Sequence, residues 1–163
     1  MEENKLFIIC PFSNIESFLR KEYGDDILFM TYSAGIIQYD NIDFLSSVKD
    51  IIINEKINKV FFVNDIKCRF INNTLQKNND QSFAFQILQE YYVSHYFSMF
   101  HNQSLQRQQY NLAKINLFMQ IQEFSNSYIF KELIEMEKTE IQGIITDKSN
   151  HLKKHIKNKV YEF

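Results

Sequence analysis

The run Lys5-Leu6-Phe7-Ile8-Ile9-Cys10, closed by Pro11, decides how this chain is read. It is a short continuous apolar stretch, the pattern of a strand buried on both faces. Similar runs return at 27–32 (Ile-Leu-Phe-Met-Thr-Tyr) and 59–64 (Lys-Val-Phe-Phe-Val-Asn). Helical patterns lie between them. Ile15, Phe18 and Leu19 share one side of a segment ending near Tyr23, with Ser13 and Glu16 spaced as a capping box. Ile42, Leu45, Val48, Ile52 and Ile53 form a second stripe, through about Glu55. Strand, helix, strand, helix, strand predicts an α/β fold with a parallel sheet and right-handed crossovers, its first and third strands adjacent.

The second half reads as helices over 81–100, 105–124 and 128–138. A strand at 139–146 and a turn at 147–150 follow, and the last dozen residues read as an extra edge strand or a frayed tail. The expectation is one domain, 1–163, with a parallel sheet of about four strands flanked by helices.

Composition narrows the function classes. With 163 residues, 45% hydrophobic and 23% charged, the chain can bury one core, which excludes a disordered or collagen-like protein. A net charge of -2 argues against a general nucleic-acid binder. The longest apolar runs fall short of the ~20 residues of a membrane helix, so no membrane partner is expected. The start, Met1-Glu2-Glu3-Asn4-Lys5, is acidic and does not read as an export leader. Two cysteines make no disulfide framework, and a cytoplasmic location is expected. Tyr92, Phe97 and Phe118 on the long helices exceed what a small sheet covers, which predicts a homodimer or higher homo-oligomer.

In parallel α/β sheets ligands bind beyond the carboxyl ends of the strands. Cys10 closes the first strand, and Asp65 and Cys68 follow the third, so two thiols and a carboxylate converge if those strands are neighbours. Thiolates are strong zinc ligands and a carboxylate is an acceptable one, while a free cysteine is equally at home as a small buried hydrophobe. His95 and His101, six apart, face different sides of a helix and make no metal pair. His151 and His155 lie in a lysine-rich tail (Lys148, Lys153, Lys154, Lys157, Lys159) that reads as a solvated basic surface.

The spacing of Cys10, Asp65 and Cys68 resembles that of the β-class carbonic anhydrases. There one strand ends in Cys-x-Asp-x-Arg and a later one in His-x-x-Cys. Phe29-Met30-Thr31-Tyr32-Ser33-Ala34-Gly35, after the Gly24-Asp25 turn, resembles that family's Phe-x-x-Arg-Asn-Ala-Gly segment. Ile115-Asn116-Leu117 through Gln120 resembles its Asn-Val-x-x-Gln helix, and Ile141-Gln142-Gly143-Ile144-Ile145 its closing Ile-x-Gly-x-x strand. All three glycines fall on these landmarks. The resemblance spans nearly the whole chain except about 75–110, and it implies the family's fold and subunit pairing.

It also implies a site, and there the chain departs from the pattern. The family holds zinc with two Cys and one His, and a zinc-bound hydroxide attacks CO₂ beside an Asp held by an Arg. Cys10 and Cys68 match the thiolates. Asp65 stands at the His position, Phe12 at the Asp and Asn14 at the Arg. Arg69 replaces the glycine after the second Cys, and Tyr32, Ser33 and Ile36 replace the Arg and both Asn of the Arg-Asn-Ala-Gly-Asn segment. Phe12 cannot accept a hydrogen bond from a zinc hydroxide, and a carboxylate in place of imidazole lowers the zinc's Lewis acidity. Three readings stay open. The chain is a non-catalytic relative with a binding, structural or regulatory role; or a divergent zinc-dependent hydratase using Cys10, Asp65 and Cys68; or a protein using its thiols for redox chemistry.

Overall fold

The structure is a computed structural model and describes residues 4–136, 138–150 and 152–157. Alternation along the apolar runs builds a two-faced sheet. Leu6, Ile8, Val60 and Phe62 face one side, and Phe7, Ile9, Phe61 and Val63 face the other. Among the described residues five strands form this sheet: β1 (Asn4–Ile9), β2 (Ile27–Thr31), β3 (Ile57–Asp65), β4 (Glu140–Asp147) and β5 (Leu152–Lys157). Their order is β2-β1-β3-β4-β5, with the first four parallel and β5 antiparallel to β4. The adjacency of the first and third strands and the extra edge strand agree with the sequence reading.

The faces are covered unequally. α1 (Glu16–Tyr23) lies on the Phe7 side, where Phe7 stacks on Phe61 with ring centroids 4.8 Å apart. The other side carries α2 (Ile42–Asn54), α3 (Arg69–Leu75), α4 (Phe83–Ser94), α5 (Leu105–Asn126) and α6 (Tyr128–Glu135). α5 is buried along its length through Leu112, Ala113, Ile115, Leu117, Ile121 and Phe124. It reaches the sheet because Gly143 on β4 has no side chain. A Cβ there would stand 2.7 Å from Leu117 Cδ2 and 2.8 Å from Ile121 Cδ1.

Several local expectations are corrected. The capping box does not form, because the Ser13 hydroxyl turns back and donates to the Cys10 carbonyl at 2.6 Å. Ser13 ends a short 3-10 turn, Asn14 is left-handed (φ 50°), and α1 starts at Glu16 without a side-chain cap. α3 has no counterpart in the sequence reading. The expected helix over 81–100 breaks after Ser94 into a π-turn over Tyr96–Phe100. Of the three aromatics expected outside, Phe97 is 87% exposed, whereas Tyr92 and Phe118 are half-buried.

The basic tail runs as the edge strand β5, with Lys153 half-buried and Lys154 and His155 exposed as the solvated reading expects. Lys153 pairs with Glu22 at 2.9 Å and sits over the Tyr23 ring, and Lys154 sits over the Tyr110 ring. His155 Nε2 and the Tyr23 hydroxyl are hydrogen-bonded at 3.1 Å. His151 and Lys159 lie outside the described residues. Among the described residues no helix is long and apolar enough to cross a membrane.

Candidate functional site

The chain leaves β1 to one side of the sheet through α1 and reaches β3 on the other side through α2. The crevice between the carboxyl ends of β1 and β3 is therefore the topological switch point, where open α/β sheets bind their ligands. Cys10 follows β1 directly, and Cys68 sits three residues beyond β3 as the residue preceding α3.

The two cysteines meet there. Both are buried, at 2% exposure each, within one core cluster, and each thiol shifts the ionisation of the other. Backbone groups converge on the pair. Ala34 N–H donates to Cys10 Sγ at 3.3 Å, and the amides of Phe12 and Ser13 add to it. The amides of Phe70 and Ile71, in the first turn of α3, pull the Cys68 thiol down, the smallest of the influences on it. Cys10 is drawn below the ordinary thiol range first by the Cys68 hydrogen bond and then by these amides, against the opposing effect of burial. Cys68 is pushed far up by the same bond and by burial. The pair therefore gives up one proton below the ordinary thiol range and holds the second above it.

Asp65 is buried but engaged elsewhere. Its Oδ1 accepts from Lys67 N at 2.9 Å, and its Oδ2 accepts from Thr146 Oγ1 at 2.8 Å and Lys148 N at 3.0 Å. The carboxylate thus clamps the end of β3 to the turn that leaves β4. Among the described residues no three His, Cys, Asp or Glu side chains come together as a metal-binding group. As placed, the donor set is two thiols, one donor short of what the resemblance calls for, and it does not fit a zinc ion.

Phe12 and Asn14 supply no polar replacement. Phe12 is 49% exposed, its ring edge-on to Phe70 and under the Arg69 guanidinium at 5.3 Å. Asn14 offers its backbone carbonyl to Lys148 Nζ at 2.8 Å. His95 Nδ1 is hydrogen-bonded to the Tyr91 carbonyl, and the His101 ring packs on Tyr96.

The residues that carry the resemblance outside the ligands hold the loop behind Cys10. Asn116 Nδ2 donates to the Ala34 carbonyl at 2.9 Å, and Gln120 Oε1 accepts from Ile37 N at 3.1 Å. Ala34 and Gly35 are both left-handed (φ 56° and 69°), which turns the Ala34 amide toward the sulfur. Sequence reasoning missed these amide donors. The missing signal was a helix beginning at Arg69, which places Cys68 where free N–H groups collect. Two clefts open nearby. One of about 510 Å³ is walled by Thr31, Tyr32, Ser33, Asn41, Phe44 and Phe83, and one of about 620 Å³ by Ile66, Arg107, Tyr110, Thr146, Asp147 and Lys154.

No protein-family model matches the sequence, and no curated protein matches it. Solved structures do. The β-carbonic anhydrase CafA of Aspergillus fumigatus superposes with a TM-score of 0.80 at 14% identity, over 94% of this chain and 75% of that one. The chain has the β-carbonic-anhydrase fold. A tetrameric β-carbonic anhydrase of Sordaria macrospora matches with a TM-score of 0.81 at 15% identity, over 94% of this chain and 80% of that one. The Coccomyxa β-carbonic anhydrase, solved in complex with acetazolamide, gives 0.75 at 13% identity, over 94% and 72%. At 94% of the chain, the likeness reaches most of the stretch at 75–110 that the sequence resemblance left out.

Proposed function

We propose that this chain is a carbonic-anhydrase-like protein without CO₂-hydratase activity, serving a binding, structural or regulatory role as a homo-oligomer. The observation that carries the reading is the Asp65 carboxylate, whose two oxygens accept three hydrogen bonds from Lys67, Thr146 and Lys148. To ligate zinc it would have to give up bonds in a buried place, where an abandoned donor costs about 1–3 kcal/mol. Phe12 and Asn14 add to the case. A positioned general base contributes about 10²- to 10⁴-fold, and neither side chain can act as one at the dyad's place.

The competing reading is a divergent zinc-dependent hydratase with Cys10, Asp65 and Cys68 as ligands. Stopped-flow CO₂ hydration, on protein supplied with stoichiometric zinc, separates the two. The proposal expects no turnover above the buffer rate, and hydration at rates typical of β-carbonic anhydrases would overturn it. The oligomeric part draws on the tetrameric Sordaria macrospora neighbours and on the exposed Phe97. Light scattering tests it, with a monomer at micromolar concentration as the contrary result.

A further inference from the structure

We propose that the cleft of about 620 Å³ between α5 and the β4–β5 edge binds a small organic phosphate monoester. Its phosphate would sit on Arg107 and Lys154, and its apolar or aromatic body over Ile66 and Ile145. The charge of this cleft is one-sided. Arg107 reaches it from the first turn of α5 and Lys154 from β5, and both stand against the Tyr110 ring, 5.7 and 5.4 Å from its centroid. One ring thus gathers two cations from elements far apart in the sequence, in a chain whose net charge is -2. Among the described residues neither cation has a carboxylate partner. Lys153 also lines the cleft, but Glu22 at 2.9 Å takes its charge. Asp147 is the one carboxylate among the described lining residues. It is buried, accepts from the Ser149 hydroxyl at 2.6 Å and is answered by Lys67 Nζ at 3.9 Å.

Two unmatched positive charges select the head group. A phosphate monoester carries about -1.5 to -2 at neutral pH, whereas a carboxylate carries a single charge. The Arg107 guanidinium is a planar fork that fits two phosphate oxygens, and the Lys154 ammonium is a point charge beside it. The Tyr110 hydroxyl makes no hydrogen bond among the described residues, which leaves it as a further donor. The floor selects the body. Ile66 and Ile145 belong to the main core cluster, at 5% and 3% exposure, yet both line the cleft. A flat apolar body laid on them removes apolar surface from water while the head group stays at the cationic rim. Inorganic phosphate would gain only the rim. The proposal gives a binding role its ligand class and does not rest on the loss of hydratase activity.

Isothermal titration calorimetry of the full chain, in chelator and at low salt, tests this with AMP as the phosphate monoester. Adenosine and inorganic phosphate serve as its two halves. AMP is expected to bind with a Kd of about 10–100 μM, the range a ligand of its size reaches, and about tenfold or more tighter than either half. Arg107→Gln and Lys154→Gln, both at exposed positions, should each weaken AMP about tenfold, because a bond to a charged group is lost. Lys131→Gln on α6, outside the cleft, should leave the affinity unchanged. No AMP binding below about 1 mM, equal affinity for AMP and either half, or AMP binding that survives both cleft substitutions together would each overturn the proposal. Chelator removes zinc and no readout is CO₂ hydration, so failure here is distinguishable from failure of the proposed function.

Discussion

Replacing Asp65 by alanine separates a structural clamp from a metal ligand. The carboxylate takes hydrogen bonds from Thr146 Oγ1, Lys148 N and Lys67 N, and Thr146 is fully buried with no water at hand to replace its partner. An unsatisfied buried donor costs about 1–3 kcal/mol, and bonds to a charged group lie at the upper end. The two amides are only part-buried and can turn to water, so the three losses together come to about 3 kcal/mol. Asp65→Asn keeps one carbonyl oxygen for Thr146 or Lys148 and should cost about 1–2 kcal/mol. Urea unfolding in the presence of chelator measures both. The reasoning fails if Asp65→Ala costs less than about 0.5 kcal/mol in metal-free protein while zinc stabilises the parent chain and not the variant. That pair of results would make the carboxylate a ligand.

Gly143→Ala forces a methyl group onto Leu117 and Ile121, both buried, and should cost about 1–3 kcal/mol of overpacking by thermal or urea unfolding. The thiol pair gives a pH dependence of defined sign. Cys10 is held at about 7 in the fold against an ordinary 9.0, so it contributes stability fully present above 9.0 and lost as pH falls through about 7. Cys68, shifted upward, opposes this above 9.0, so the urea midpoint should rise from pH 7 toward 9.0 and decline beyond it. Cys10→Ser should remove the rise. Phe97→Glu, at an 87% exposed position, should leave a monomer's stability within about 0.5 kcal/mol yet shift the homo-oligomer toward monomer in light scattering.

What was legible in the sequence was whatever one segment determines by itself. The apolar runs of β1 and β3 read as buried strands, and the structure pairs them in parallel as expected. The glycines were legible as landmarks, and the structure supplies their reasons: a left-handed turn at Gly35 and a helix pressed on the sheet at Gly143. Asn116 and Gln120 were recognisable by pattern, but their task of holding the Ala34 loop is a contact across the fold. The meeting of the two thiols was foreseeable from strand adjacency. The fate of Asp65 was not, because its partners Thr146 and Lys148 lie 81 and 83 residues away, at the end of β4 and in the turn after it, and only the folded sheet brings them together. α3 escaped notice because Arg-Phe-Ile-Asn-Asn-Thr-Leu is rich in β-branched residues and asparagine, which favour helices weakly. Ser13 misled because a hydroxyl three residues before a glutamate makes a capping box only if the residues between are helical, and Asn14 is left-handed.

A crystal structure of the reduced chain grown with zinc, with anomalous scattering collected at the zinc edge, tests the central claim most directly. The account predicts no zinc peak between the thiols, and Asp65 Oδ2 still within hydrogen-bond distance of Thr146 Oγ1 and Lys148 N. A peak about 2.3 Å from both sulfurs and about 2.0–2.2 Å from an Asp65 oxygen, with the Thr146 bond broken, would contradict it.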